Sequence, residues 1–220
     1  MPDSPSLAES YLKAIWNARE WTDEPVTVTA LAARLGLSPS SVSEGVRKLV
    51  ERGLLEHRPY APIALTAEGE AVAVAMARKH RLIETFLVER LGYAWDEVHD
   101  EAELLEHAVS DRFVDALAAH LGDPERDPHG DPIPRADGTL PGPALLPLAH
   151  AAEGAPLRVA RVSDADPELL RFLERSGVVL DAPVVLRRRE PSAGTLELEI
   201  AGAPLSLGER AAAAIRVVPG

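Results

Sequence analysis

The chain has 220 residues, enough for one or two domains with a proper core, and an aromatic content of 4% leaves that core to Leu, Val and Ala. It holds no cysteine, which excludes disulfides and thiolate metal sites. A net charge of −12, taken alone, argues against a nucleic-acid partner, because proteins that bind DNA usually present a basic patch.

The N-terminal MPDSPSLAESYLK has no basic stretch leading into an apolar one, and no apolar run is long enough to span a membrane, so a cytoplasmic protein is expected. Leu7, Tyr11, Leu12, Ile15 and Trp16 fall at helical spacing and predict a first helix over 7–20. Thr27 and Thr29 are candidate caps of a second helix whose core side is Leu31, Leu35 and Leu37. Gly36 breaks it. Ser38 and Pro39 restart a third helix that runs to about Arg52 and stops at Gly53. LLEHRPYAPIALT predicts two short strands around a Pro-containing turn. A long helix then runs from Ala67 to about Leu91, with Glu68 and Glu70 suiting its positive N-terminus. Asp96 is expected to cap one further helix, from Glu97 to about Leu121. GDPERDPHGDPIPRADGTLPGPALLP is rich in Pro and Gly and reads as a linker, either ordered and meandering or flexible. Beyond it LRVARV, APVVLRRRE, TLELEI and AIRVVP read as strands around a helix from Pro167 to Ser176, the pattern of a small β-barrel.

VTALAARLGLSPSSVSEGVRKLVERGLLEHR has the anatomy of a winged helix-turn-helix. Leu37 is expected to be buried in the turn, and Val42, Val46 and Leu49 form the core stripe of the second helix. That helix opens with Ser38, Pro39, Ser40, Ser41 and Ser43, small enough to approach phosphates and base edges. Arg47, Lys48 and Arg52 supply cations for phosphates. Thr27 and the wing residues His57, Arg58 and Tyr60 are further candidate DNA contacts, with Tyr60 equally suited to packing. Glu44 either accepts from a cytosine amine or faces solvent.

The stretch WDEVHDEAELLEH is strongly acidic and holds two histidines. His99, Glu103, Glu106 and His107 follow at steps of four, three and one, which puts them on one broad helical face. His80 and Glu84 share a face of the preceding helix. Imidazoles and carboxylates from two neighbouring helices are a donor set for a first-row transition ion. The plainer alternative is a solvated face that complements the helix dipole.

Together with GDPERDPHGDPIP, ESYLKAIW, SVSEGVRKLVERGLL and LTAEGEAVAVAMARKHRLIETFLVERLG, these motifs resemble the diphtheria toxin repressor family, whose members include iron-dependent and manganese-dependent regulators. The resemblance covers 7–135 densely and extends, through LERSGVVLDAPV, to the family's SH3-like domain. It implies a primary metal site at Glu106, His107, Glu103 and Ser10. It implies an ancillary site at His80, Glu84 and His99, completed from the SH3-like domain by Asp164 and Asp166. Glu103 stands where iron regulators have cysteine and manganese regulators have glutamate. Ser10 stands where the two branches have methionine and aspartate; its hydroxyl can coordinate, hold a water or stand aside. Glu9 is a spare carboxylate expected to point elsewhere, and Lys13 stands where some manganese regulators have another glutamate.

The expected fold is mainly α with a small C-terminal β domain: a winged helix-turn-helix over 1–72, a helical dimerisation and metal-binding domain over 73–140, a linker over 141–152 and an SH3-like (FeoA-like) domain over 153–220. The expected function is a metal-dependent repressor, not an enzyme, that binds palindromic operator DNA as a homodimer, with two dimers per operator and no membrane partner. An all-oxygen-and-nitrogen primary site favours Mn²⁺, with Fe²⁺, Zn²⁺ and Co²⁺ as alternatives. The rivals are an iron-dependent regulator, a metal-independent winged-helix regulator and a metallohydrolase; the last needs a substrate pocket and a general base that no motif supplies.

Overall fold

The computed structural model describes residues 5–58 and 61–220, so Tyr60 of the wing lies outside the described residues. The chain divides into two compact units. One takes the residues up to 80 with 104–116 and 134–140, the other 81–103, 117–133 and 141–220.

In the first unit the helices are α1 (Pro5–Trp21), α2 (Val28–Leu35) and α3 (Pro39–Glu51). Thr27 caps α2 by accepting from Ala30 N, and Gly36, at φ 64, turns the chain out of it. Ser38 caps α3 by accepting from Ser41 N, with Pro39 in the first turn, where its missing N–H costs nothing. Tyr11, Leu12, Ile15 and Trp16 of α1 meet Leu31 of α2 and Val42, Val46 and Leu49 of α3 in one buried cluster. A Cβ at Gly45 would come within 2.8 Å of the Tyr11 ring, so glycine is what lets α3 lie this close to α1. Leu37 is not buried as expected but 37% exposed, because the left-handed Gly36 carries the chain off the core side before it. The wing strands β1 (Leu55–Glu56) and β2 (Ala64–Leu65) pair antiparallel. α4 (Ala67–Leu91) follows, as predicted, and gives its first half to this unit and its second half to the other.

The single helix expected after Asp96 is two helices, α5 (Val98–Glu106) and α6 (Asp111–Leu121). The chain breaks between them where Ala108 N turns back on Leu105 O and Ser110 Oγ accepts from Phe113 N to start α6. Asp96 does not cap α5. It pairs at 2.8 Å with Arg171.

The second unit is built on a six-stranded antiparallel sheet. Its elements are β3 (Leu146–Pro147), β4 (Pro156–Val162), α7 (Pro167–Arg175), β5 (Pro183–Glu190), β6 (Thr195–Ile200), β7 (Ala203–Gly208), α8 (Glu209–Ala213) and β8 (Ile215–Pro219). The strand order is β3-β8-β4-β5-β6-β7. Val159, Val184, Leu186, Leu196, Leu198, Ile215 and Val217 alternate inward and pack on Leu170 and Leu173 of α7. Sequence reading missed β3, β7 and α8. β7 is an edge strand carrying Pro204, tolerated there because an edge N–H has no partner to lose. The stretch 141–152, expected as linker, contains β3 and a 3-10 turn that buries Leu148 in this core.

The segment 123–133 is an ordered loop. Asp127 N donates to Asp131 O, Gly130 N to Asp127 O, and Val162 N of β4 to His129 O at 2.8 Å. Gly130 sits at φ 87, and a Cβ there would lie 2.1 Å from Ala160 O, so only glycine allows the loop to seat on β4. A bulge between Val159 and Arg161 shifts the β4 register, and Arg161, paired in the strand with Arg216, sends its side chain to Asp131. Among the described residues, no helix is long and apolar enough to cross a membrane.

Candidate metal centre and DNA-binding helix

Two groups of ionisable side chains stand out. In the second unit, Glu84 of α4, His99 of α5 and Asp164, after β4, come together: His99 Nδ1 lies 3.0 Å from Asp164 Oδ2 and 3.4 Å from Glu84 Oε1. Glu84, Asp127 and His129 form an adjoining set whose ligand atoms all lie within 4.8 Å of one another, each residue buried. Glu84 belongs to both, and His80 precedes it by one turn of α4.

His129 is fully buried. Its Nε2 donates to Trp95 O at 2.5 Å, and its ring stacks on the Trp95 indole at 5.8 Å. Nδ1 then has no hydrogen-bond partner and lies 4.0 Å from Glu84 Oε2. This is the arrangement of a metal-ligating histidine, whose far N–H is held by a carbonyl while the near lone pair faces the site. Asp127 Oδ1 accepts from the backbone N–H groups of His129 and Asp131, so the carboxylate itself shapes the loop that carries the imidazole. Asp131 Oδ1 accepts from Arg81 at 3.0 Å and from Arg161.

The electrostatics are those of a site short of positive charge. Burial works against the charged imidazoles, yet the carboxylates outweigh it. Asp164 and Glu84 push His99 up to about 11, and Asp127, Asp164 and Glu84 push His129 up to about 9. Burial, then the charges of Asp131 and Glu84, raise Asp127 well above the usual carboxylate range.

The second group lies in the first unit. Lys13 of α1, only 4% exposed, donates at 2.7 Å to both oxygens of Glu106, whose carboxylate is fully buried. His80 Nδ1 is 2.6 Å from Glu106 Oε2 and 3.3 Å from Lys13 Nζ. Burial pushes the Glu106 carboxyl up, but His80 and Lys13 together hold it below its ordinary value. His107 sits in the break after α5, with Nε2 3.1 Å from Ser10 Oγ and Nδ1 2.8 Å from Glu9 Oε2.

Of the expected primary ligands, Ser10, Glu106 and His107 therefore meet, while Glu103 is exposed on α5. Glu9, expected to point away, reaches His107 because the helix break turns that ring toward α1. As it stands this group does not fit a divalent ion, since an ammonium already takes both oxygens of Glu106. Of the expected ancillary ligands, Glu84, His99 and Asp164 meet. Asp166, expected among them, instead caps α7 by accepting from Glu168 N and Leu169 N, and its second oxygen accepts from Arg210. Asp127 and His129 were missed. The Asp-Pro-His-Gly-Asp run inside the supposed linker was the available signal.

At the DNA-binding helix, Ser38, Pro39, Ser40, Ser41, Ser43 and Arg47 are exposed at the start and along the outer face of α3, and Thr27 and Arg58 are exposed nearby in sequence. The Ser38 hydroxyl lies 2.9 Å from that of Ser40 and 2.8 Å from that of Ser41. Glu44 pairs with Arg47 at 2.7 Å and with Lys48 at 3.8 Å, and Arg47 also reaches Glu51.

Comparison with known proteins finds relatives along the chain. Residues 6–63 match the iron-dependent repressor N-terminal DNA-binding domain, 66–135 the iron-dependent repressor metal-binding and dimerisation domain, and 146–219 the FeoA domain. The iron-dependent repressor IdeR of Mycobacterium leprae is 33% identical over 199 residues, covering 84% of this chain and 86% of that protein. The diphtheria toxin repressor of Corynebacterium glutamicum is 30% identical over 227 residues, covering 99% and 98%. A solved manganese-dependent transcriptional repressor in complex with manganese is 50% identical, covers 97% of this chain and 100% of its own, and superposes with a TM-score of 0.92. The chain belongs to the diphtheria toxin repressor family of metal-dependent transcriptional repressors.

Proposed function

We propose that this repressor responds to manganese, and that Glu84, Asp127, His129, His99 and Asp164 hold the ion, with His80 one turn before Glu84 on the same helix. The observation that carries this reading is the buried His129 Nδ1, left without a partner and facing Glu84 and Asp127. The donors are all oxygen and nitrogen, a set that suits Mn²⁺; Fe²⁺, Co²⁺ and Zn²⁺ compete for it because such sites follow the Irving–Williams order. The 50% identical repressor was solved with manganese, which favours the same ion.

A divalent ion supplies here the positive charge that the clustered carboxylates lack. Glu84 belongs to α4, His99 to α5, Asp127 and His129 to the 123–133 loop, and Asp164 to the β4–α7 connection. These residues draw together four segments of the second unit that otherwise repel through Glu84, Asp127 and Asp164. His129 is oriented by Trp95, and Asp131 is neutralised by Arg81 and Arg161. The protein acts in the cytoplasm as a homodimer and reads a palindromic operator, with α3 entering the major groove and Ser40, Ser41 and Ser43 toward the bases. Thr27, Ser38, Lys48 and Arg58 contact phosphates. Switching requires the metal-bound form to bind operator better by a coupling of about 1–3 kcal/mol or more.

The test is selection of genomic DNA fragments by the full-length protein with Mn²⁺, followed by gel shift of the enriched fragment with Mn²⁺ or with chelator. Retardation that appears with Mn²⁺ and disappears with chelator is expected. Equal retardation in both sinks the metal switch and favours a metal-independent regulator.

A further inference from the structure

We propose that Lys13 is a built-in cation which takes the place of a metal ion in the Glu106–His107 group, so that this group latches α1 without metal and the protein binds manganese only at the Glu84–His129 centre. The donors that meet there are already engaged with one another within the first unit. Lys13 Nζ takes both oxygens of Glu106 at 2.7 Å, and Glu106 Oε2 also holds His80 Nδ1 at 2.6 Å. The two nitrogens of His107 face Ser10 and Glu9. The partners all come from one face of α1, at positions 9, 10 and 13, and the groups they hold come from α4 and from the end of α5. An ion shared by Glu106, His80 and His107 would have the same effect, joining α1 to α4 and α5.

Lys13 is 4% exposed and Glu106 is fully buried, so the pair is not a surface contact that water replaces at little cost. A divalent ion bound to Glu106 would stand next to the ammonium, like charge beside like charge in a place where water screens poorly. An ammonium gives the same attraction permanently and asks nothing of the metal supply. α1 is therefore held whether metal is scarce or plentiful, and the response to metal falls to the second centre. That last statement rests on the manganese reading above, whereas the latch itself does not.

The experiment measures manganese bound per chain, by equilibrium dialysis and elemental analysis, on full-length wild type, Glu106→Gln and Lys13→Glu, with circular dichroism and thermal melting as checks of folding. Glu106→Gln is expected to bind as many ions as wild type and to melt at a lower temperature, because Lys13 loses its carboxylate. Lys13→Glu is expected to bind one ion more than wild type, since it removes the cation and adds a donor. A folded Glu106→Gln that loses an ion held by wild type overturns the proposal, and so does a folded Lys13→Glu that gains none. If Lys13→Glu does not fold without metal, Glu106→Gln decides alone. A wild type that binds no manganese overturns the Glu84–His129 centre instead, while a gain by Lys13→Glu in the same series still supports the latch.

Discussion

In the proposed metal centre, His129 is oriented by the residues around it. Trp95 fixes its tautomer through Nε2 and its plane by stacking, and burial keeps water from satisfying Nδ1. Replacing such a ligand costs at least the ~10–100-fold in metal affinity seen when an outer partner is lost. His129→Gln should therefore weaken manganese binding by that much or more in isothermal titration, and an unchanged affinity would remove His129 from the site. The metal-free protein should also show a definite pH dependence. His99 at about 11 and His129 at about 9 stand above the ordinary histidine value of 6.5. Their contribution to stability is fully present below about pH 6.5 and is lost as pH rises through about 9 for His129 and about 11 for His99. The raised Asp127 acts in the same direction, its contribution falling as pH rises above the ordinary carboxylate range. Thermal melts in chelator should thus fall between pH 6.5 and 9, and manganese should raise the melting temperature more at the upper end. A flat chelator profile would mean that the carboxylates do not hold these protons.

At the scale of elements, the decisive piece is the 123–133 loop. Its Pro and Gly content reads as a linker, yet Gly130 is there because no side chain fits against Ala160 O, and Val162 N anchors the loop on β4. Gly130→Ala meets both a backbone clash and a left-handed φ, which together cost more than the ~1–3 kcal/mol of ordinary overpacking or strain. It should lower stability in urea and weaken manganese binding together, since Asp127 and His129 ride on the same loop. The β4–α7 connection supplies a contrasting pair. Asp166→Ala removes a helix cap and should cost about 0.5–2 kcal/mol of stability while leaving manganese binding intact. Asp164→Asn should weaken manganese binding with the cap in place. Reversed outcomes would return Asp166 to the ligand set. The break between α5 and α6 has a similar consequence in the first unit, because the residues that interrupt the helix also turn His107 toward Glu9 and Ser10.

For the whole molecule, a net charge of −12 and a DNA-binding function are compatible because the outer face of α3 exposes mainly hydroxyls, with a few cations beside them. Affinity for operator should accordingly depend on few phosphate contacts. Arg58→Ala is expected to weaken binding to all sequences alike and to reduce the salt slope by about one, measured by gel shift over a range of salt. A loss confined to one base pair of the operator would make Arg58 a base reader instead. Much of this was legible in the sequence. Helical and alternating spacing placed α1 to α4 and β4, β5, β6 and β8. Thr27, Ser38 and Gly36 marked their helix ends, because caps and periodicity are local. Glu84 and His99 were legible as donors from helical spacing, and Asp164 only from the family resemblance. What only the tertiary structure decided is which distant groups converge. Neither Asp127 and His129 inside a Pro- and Gly-rich run, nor Lys13 on both oxygens of Glu106, leaves a periodic trace. Their roles come from burial, a seated loop and a helix break, and these exist only once the chain has packed.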